Sequence, residues 1–310
     1  MRTFNDQRAM TNIMNEKQQW LRRVLGGLSM VVLAGCVEPT EKMTGSVPRA
    51  ETKVQTGVTA LERDLYLDLL QRSLTDLIYE NEPEARKSRQ DGRDWPSRAY
   101  TMIGMKRLNN LRFCMEEVLE QDIPGDVIEA GAWRGGATIY MRAILKSHQV
   151  TDRTVWVADS FEGLPAPDAE NYPVDENAKL HEYEELAVSV EQVQSNFDRY
   201  GLLDNQVQFL KGWFKDTLPD APIEKLAILR IDADLYESTM QALENLYPKL
   251  SPGGYVIIDD YVFYERCRIA VNDYRREHGI DEEVKNIDWS GVYWRKRPLS
   301  TENDSTEKMP

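Results

Sequence analysis

The sequence predicts an α/β fold with a doubly wound, mostly parallel sheet, N-terminal helices and a C-terminal antiparallel hairpin. Between residues 127 and 278, short apolar runs alternate five times with segments that have helical spacing, and this alternation is typical of a parallel sheet with crossover helices. The run Leu226–Ile231 is apolar enough for a strand buried on both faces. Ligands of such sheets bind at the carboxyl ends of the strands.

The predicted domain spans residues 58–298 and begins with helices. Apolar residues at Leu61, Leu65 and Leu69 have helical spacing. After a polar, arginine-bearing stretch at residues 82–98, a second helix is expected from about Thr101 to Glu120, before Pro124-Gly125.

Strands and helices alternate in the rest of the domain. The predicted strands are Val127–Ala130, Val155–Ala158, Val207–Leu210, Leu226–Ile231 and Tyr255–Ile258. The predicted helices are Ala137–Lys146, Ser189–Tyr200, Ser238–Leu250 and Glu265–His278. Pro252-Gly253-Gly254 is expected to be a turn, and Ser290-Gly291 to join the hairpin strands Val284–Ile287 and Val292–Arg295.

Composition excludes several classes of protein. The chain has 310 residues, with 52 acidic and 38 basic side chains and a formal net charge of -14. This charge disfavours binding to a nucleic-acid backbone. The three cysteines, at positions 36, 114 and 267, form no CxxC pair, so neither a disulfide framework nor a cysteine zinc site is expected.

Residues 1–57 are predicted to be a leader and linker, and residues 299–310 a disordered tail. A basic pair, an apolar stretch and small residues precede Cys36, as in a secretion signal. Leu33-Ala34-Gly35-Cys36 resembles a bacterial lipoprotein cleavage box, which would anchor the protein to a membrane through Cys36. The alternative is an unstructured leader or an upstream start site, with Met43 as an internal start.

Two strand ends predict a cofactor site. The first strand continues into Glu129-Ala130-Gly131 and a glycine-bearing loop, which resembles the first motif of class I S-adenosylmethionine methyltransferases rather than the dinucleotide fingerprint GxGxxG. In that motif a carboxylate near the strand end interacts with the amino-acid half of the cofactor. The alternative interpretation of the glycines is that they only form a tight turn between the strand and the helix. Asp159, followed by Ser160, ends the second strand, where a carboxylate can accept both ribose hydroxyls or cap the following turn.

Two further strand ends predict a metal site. Asp232 follows one apolar strand, and Asp259 and Asp260 follow the next. If these strands are neighbours, three carboxylates converge and repel one another unless a cation joins them. Oxygen ligands favour Mg²⁺. The alternative is that each aspartate only caps a strand end.

These residues belong to a longer resemblance. From about Leu61 to Pro298 the chain resembles the macrocin O-methyltransferase family, after about sixty extra residues at its front. The matching segments are Tyr100–Gly104, Asp126–Gly131, Asp159–Gly163, Gly212–Pro219, Asp232–Tyr236 and Asp259–Tyr261. The resemblance implies S-adenosylmethionine and Mg²⁺ as cofactors, with Met102 at the methyl donor. Trp213 follows the third strand, where it could stack on the adenine or pack in the core. The resemblance also implies that His181 is the catalytic base. The alternatives are a solvated or structural histidine, or a contact in a lid formed by the long acidic loop 163–187; Asp234, beside the predicted metal site, would then be the next candidate for the base.

The predicted activity is methyl transfer to a sugar hydroxyl of a natural product or glycoconjugate. Rival hypotheses are a nucleotide-sugar oxidoreductase, which the missing GxGxxG weakens, and a membrane-tethered binding module, which Cys36 suggests. The expected partner is a small glycoside or sugar, with a membrane involved only if Cys36 is lipidated. Homo-oligomerisation is left open. Since S-adenosylmethionine is made in the cytoplasm, that location is preferred to a lipoprotein anchor.

Overall fold

The computed structural model describes residues 58–298, so the predicted leader with Cys36 and the predicted tail lie outside the described residues. The helices are α1 (Ala60–Leu74), α2 (Pro83–Gln90), α3 (Met105–Glu120), α4 (Gly136–Ser147), α5 (Val190–Arg199), α6 (Phe214–Thr217), α7 (Tyr236–Leu246) and α8 (Glu265–Glu277). The strands are β1 (Asp126–Ala130), β2 (Val155–Asp159), β3 (Val207–Lys211), β4 (Leu226–Ile231), β5 (Leu250–Ile258), β6 (Lys285–Asn286) and β7 (Val292–Arg295). Within this range, no helix is both long and apolar enough to cross a membrane.

The predicted sheet is confirmed. Seven strands lie in the order β3-β2-β1-β4-β5-β7-β6. Strands β1 to β5 are parallel, while β7 is antiparallel to both β5 and β6. Strand order reverses between β1 and β4, so the crevice at their carboxyl ends is the expected ligand site.

Both faces of the sheet are covered by helices. Val127 of β1 packs in a core with side chains of α1, α3, α4 and α5, and its neighbour Ile128 packs in a second core with α7 and α8. Successive strand residues point to opposite faces. Each fully buried large apolar side chain contributes roughly 1.5–3 kcal/mol to folding, so both layers stabilise the sheet that carries the site.

The same alternation places charged residues beneath α3. Glu129 of β1 is in register with Arg230 of β4, and Arg230 with Ile257 of β5. Glu129 lies two residues after Val127 and therefore points to the same face. Asp259, two residues after Ile257, continues that row beyond the end of β5. This row becomes part of the site described below.

The structure differs from the sequence prediction in two notable places, of which only the first was a wrong prediction. Pro252-Gly253-Gly254 is not a turn before the strand but lies within β5. Leu226 pairs with Leu250 and Ile228 with Tyr255, so β5 has extra residues between these pairs and bulges there. A bulge admits proline and glycine because its residues leave the regular hydrogen-bond ladder.

The second difference is helix α2, which falls in the arginine-bearing stretch where no element was predicted. Apolar periodicity could not reveal it because the sequence PEARKSRQ has one apolar residue. Proline at its start and tertiary ion pairs stabilise it instead: Arg89 is buried and bonds to Asp76 and Asp94.

Candidate functional site

A cavity of about 350 Å³ opens at the carboxyl ends of the strands. Of the residues predicted to bind cofactor, five line it: Met102, Gly131, Asp159, Ser160 and Trp213. Asp232 and Asp234, after β4, line it as well. Residues that follow the carboxyl ends of four neighbouring strands, β3, β2, β1 and β4, therefore meet in one cavity.

Gly131 brings the ends of β1 and β4 together. Its φ is +92°, and a Cβ atom built on it would lie 1.8 Å from the carbonyl oxygen of Asp232. No other residue fits so close an approach. Trp133, Phe161 and Asp234, in the loops after β1, β2 and β4, also have left-handed φ values of 48°, 58° and 58°. Such strained residues cluster at functional sites.

Asp159 orders two of these loops. Its Oδ2 accepts hydrogen bonds from the backbone N–H groups of Ala132 (2.7 Å) and Trp133 (3.1 Å), and its Oδ1 accepts one from Phe161 N–H (2.8 Å). Burial raises the pKa of Asp159, while these donors lower it. The carboxylate still has acceptor capacity towards the cavity, and the loop-capping alternative therefore does not exclude a role in cofactor binding.

Glu129 and Ala130 do not line the cavity. The carboxylate of Glu129 is 2% exposed; its Oε1 accepts a hydrogen bond from Arg230, and its Oε2 has no partner among the described residues. Burial raises the pKa of Glu129 to about 8, although Arg230 opposes the shift. Ala130 contributes backbone, since its carbonyl accepts a hydrogen bond from Asp232 N–H at 2.9 Å.

The three predicted metal ligands do converge. One carboxylate oxygen each from Asp232, Asp259 and Asp260 lies within 4.8 Å of the other two. We call these three residues the acidic cluster. Asp232 has a 29% exposed side chain and faces the cavity, whereas Asp259 and Asp260 are 3% and 6% exposed. The acidic cluster therefore opens to ligands mainly through Asp232.

Two buried arginines surround Asp259. Arg230 donates hydrogen bonds to Glu129, Asp232 and Asp259. Arg107, from α3, donates to the other oxygen of Asp259, to Asp288 Oδ2 (3.1 Å) and to the carbonyl of Gly92 (3.0 Å). Both oxygens of Asp259 are thus fixed by guanidinium groups, which make strong, directional bonds to carboxylates.

The electrostatics of the acidic cluster fit a divalent cation. The pKa of Asp232 is raised by burial and by repulsion from Asp259, against the attraction of Arg230. The pKa of Asp260 is raised well above its usual value by burial and by the neighbouring aspartates. A cation between the oxygens would remove this repulsion, and hard oxygen donors suit Mg²⁺.

Asp234 lies beside the acidic cluster and lines the cavity. Its backbone N–H donates to Asp260 Oδ2 at 3.3 Å. Burial, followed by repulsion from Asp232 and Asp259, raises its pKa to about 8. A carboxyl group with such a pKa is mostly protonated at neutral pH, so Asp234 could accept a proton there only if a neighbouring cation lowered its pKa.

Residues 163–187, here called the lid segment, cover one side of the site. Residues 163–166 and Leu186 line the cavity, and Glu185 accepts a hydrogen bond through its carbonyl from the indole of Trp133 at 2.9 Å. Asp175, which is fully buried, fixes the middle of the lid segment. Its carboxylate accepts hydrogen bonds from the backbone N–H groups of Tyr236 (2.8 Å) and Glu237 (2.9 Å), at the start of α7. This contact agrees with the preference of carboxylates for helix N-termini.

His181 lies in a short 3₁₀ turn of the lid segment, Leu180–Glu182. Its side chain is exposed and does not line the cavity. Its role as base therefore stays a prediction, one that requires the lid segment to bring the imidazole to the acceptor.

Sequence reasoning missed Arg107, Arg230 and Asp175 as parts of the site. For Arg230 a pattern was present, since it is a single charge in an apolar strand and lies opposite Glu129, the single charge within the apolar part of β1. Such a pair in adjacent buried strands indicates an ion pair. Arg107 and Asp175 carry no comparable pattern because their partners lie far away in the sequence.

Comparisons with known proteins agree with this geometry. The profile of the family "Macrocin-O-methyltransferase (TylF)" matches residues 40–296, starting before the expected point near Leu61. The 8-demethyl-8-(2,3-dimethoxy-alpha-L-rhamnosyl)-tetracenomycin-C 4'-O-methyltransferase of Streptomyces olivaceus is 56% identical over 249 residues, covering 77% of this chain and 95% of that protein. The mycinamicin III 3''-O-methyltransferase of Micromonospora griseorubida is 52% identical over 246 residues, covering 75% and 96%.

A solved structure also matches. The O-methyltransferase NovP is 53% identical in sequence and superposes with a TM-score of 0.74, over 76% of this chain and 99% of that one. The shared fold thus includes nearly all of NovP.

Proposed function

Because this chain belongs to the macrocin-O-methyltransferase family, we propose that it methylates a sugar hydroxyl of a glycosylated natural product. The chain is an S-adenosylmethionine-dependent O-methyltransferase. The related enzymes are named for glycosides, among them a rhamnosyl tetracenomycin. The observation that carries the proposal is that the acidic cluster opens, through Asp232, into the same cavity as Asp159.

The cavity residues would hold the methyl donor. When bound, S-adenosylmethionine supplies a methyl group on a positively charged sulfur. Asp159 would accept the ribose hydroxyls, with Ser160 beside it, and Trp213 would pack against the adenine. Gly131 and Ala130 would present backbone groups to the amino-acid half of the cofactor, beside Met102. Glu129, which does not line the cavity, would act indirectly through its hydrogen bond with Arg230.

The acidic cluster would hold Mg²⁺. When bound, Mg²⁺ would supply Lewis acidity that lowers the pKa of the acceptor hydroxyl. Asp259, held by Arg107 and Arg230, would present its oxygens in one fixed geometry. Asp232, the most exposed of the three and the one that lines the cavity, would limit where the acceptor hydroxyl can lie.

The acceptor hydroxyl must lose its proton as the oxygen–methyl bond forms. We assign the proton to His181, with Asp234 as the alternative because it already lines the cavity. The lid segment would exclude water once it lies over both ligands. Since S-adenosylmethionine is made in the cytoplasm, we place the reaction there.

We expect His181→Ala to lower turnover by roughly 10²- to 10⁴-fold, the usual contribution of a positioned base. Steady-state kinetics with methyl-labelled cofactor would measure this, and His148→Ala, at the end of α4, is the control. An increase in the acceptor KM at unchanged turnover would instead make His181 a lid contact. If neither turnover nor the acceptor KM changed, the role of base would be assigned to Asp234.

We expect Asp159→Ala to weaken binding of S-adenosylhomocysteine by about tenfold or more, because a charged acceptor is lost and three backbone donors lose their partner. Calorimetry measures the affinity. The control is Asp152→Ala, which replaces an exposed aspartate just before the amino end of β2, whereas Asp159 lies at its carboxyl end. Equal affinities for the two variants would remove Asp159 from the cofactor site.

The proposed function itself is tested by incubating the protein with methyl-labelled cofactor, Mg²⁺ and a panel of glycosides, followed by mass spectrometry. The label should appear on a sugar oxygen. Label found only on the aglycone or on protein would contradict the assignment.

A further inference from the structure

Four exposed apolar side chains lie near the acidic cluster and have no part in the chemistry above. Trp95 is 53% exposed, Tyr183 47%, Val262 44% and Phe263 58%. They come from three separate segments of the chain: the loop after α2, the lid segment and the turn after β5. We call these four residues the aromatic rim.

Val262 and Phe263 are held directly beside the metal ligands. They follow Asp260 in sequence, and Tyr264 N–H donates back to the Asp260 carbonyl at 2.9 Å. Val262 N–H donates to the carbonyl of Ser290 at 2.8 Å, and the hydroxyl of Ser290 donates to the Asp259 carbonyl at 2.7 Å. The turn is therefore tied at several points to the backbone of the acidic cluster.

Trp95 and Tyr183 lie on the side of the lid segment. Their rings meet edge to face, with centroids 5.3 Å apart at 75°, a favoured geometry for aromatic pairs. Trp289 links this side to the turn after β5. Its ring meets that of Phe263 edge to face, with centroids 5.0 Å apart at 82°, and the guanidinium of Arg93, two residues before Trp95, stacks on the same indole, 4.4 Å from the ring centroid.

The surroundings define the ligand that these rings would accept. Exposed aromatic faces and edges favour a large apolar partner. Charge does not select the ligand, because the exposed Arg93 and Arg98 flank Trp95 while the exposed Glu182, Glu184 and Glu185 surround Tyr183. The matching ligand is therefore defined by its apolar surface.

We propose that the aromatic rim binds the aglycone of the acceptor, so that the sugar reaches the acidic cluster while the apolar ring system packs against Trp95, Tyr183 and Phe263. This inference rests on the proposed function. It assigns to the rim the choice between a glycoside with a large apolar aglycone and a sugar without one.

The test compares two probes that share one sugar: methyl α-L-rhamnopyranoside and 2-naphthyl α-L-rhamnopyranoside. Calorimetry with the full chain, Mg²⁺ and S-adenosylhomocysteine gives the affinity for each. We expect the naphthyl glycoside to bind about tenfold or more tightly than the methyl glycoside, and this preference to disappear in Trp95→Ala/Phe263→Ala. Leu203→Ala, which replaces a 42% exposed apolar residue in the loop between α5 and β3, should retain it.

A wild-type protein without the preference, or a preference that survives the double variant, would overturn the proposal. Methyl transfer separates this outcome from failure of the proposed function. An enzyme that methylates both rhamnosides with equal efficiency keeps its function and loses the rim assignment. A protein that prefers the naphthyl probe, yet transfers no methyl group to any glycoside, keeps the rim and loses the function.

Discussion

Replacing Asp259 with asparagine should lower turnover by roughly 10³-fold while changing the affinity for S-adenosylhomocysteine little. A ligated cation contributes several kcal/mol of transition-state stabilisation, and about 4 kcal/mol corresponds to 10³ in rate. Asp259 lies outside the cavity that contains Asp159, so the donor should still bind. Steady-state kinetics and calorimetry together measure the two effects.

Asp259→Asn also removes a charge that two buried arginines need, and the variant can therefore lose stability. Asp232→Asn provides the second test because Asp232 has one arginine partner and a 29% exposed side chain. It should show the same split between turnover and cofactor affinity. Asp281→Asn, in an exposed pair with Arg297, is the surface control and should leave both values unchanged.

Metal removal examines the same site without mutation. Excess chelator should abolish transfer, and added Mg²⁺ should restore it. Full activity in chelator, or equal losses of turnover and cofactor affinity in Asp232→Asn, would show that the acidic cluster does not act through a cation.

Sequence reasoning located the acidic cluster because the strand topology alone brings its three aspartates together. Asp232, Asp259 and Asp260 each follow a strand, and neighbouring parallel strands end at the same edge. The prediction needed only the order of two strands, not the conformation of any side chain. Asp159 and Gly131 were found for the same reason.

The partners of the charged site residues were harder to predict because these contacts depend on how helices and loops are placed against the sheet. Arg107 lies 152 positions before Asp259, on a helix whose rotation and height above the sheet decide whether it reaches the carboxylate. Asp175 is likewise 61 positions from Tyr236. Apolar periodicity places a helix on a face of the sheet but leaves these contacts undetermined.

The position of His181 illustrates a different limit. Family resemblance assigned it a role, yet its exposed side chain lies in a segment whose ends, rather than His181 itself, line the cavity. Catalytic contacts often tighten only once ligands are bound. The exposed position of His181 therefore does not contradict the role that the family resemblance implies.

Replacing Arg230 with methionine should have the largest effect on stability of any single change in the site. Arg230 is 1% exposed and donates to carboxylates of Glu129, Asp232 and Asp259. Methionine keeps an unbranched side chain but leaves three carboxylates without their guanidinium. Breaking a buried ion pair in this way costs about 3–5 kcal/mol, a large part of the 5–15 kcal/mol that typically separates folded from unfolded protein.

Urea denaturation of the metal-free protein measures this loss. Arg297→Met removes an arginine from a pair that is 67% and 73% exposed and should cost less than about 1 kcal/mol. Adding Glu129→Gln to Arg230→Met should recover part of the loss, because glutamine needs neither a buried countercharge nor the uptake of a proton on folding. If Arg230→Met and Arg297→Met were equally stable, the carboxylates would have to be protonated or hydrated without Arg230, and the arginine would not be what holds the acidic cluster in its charged form.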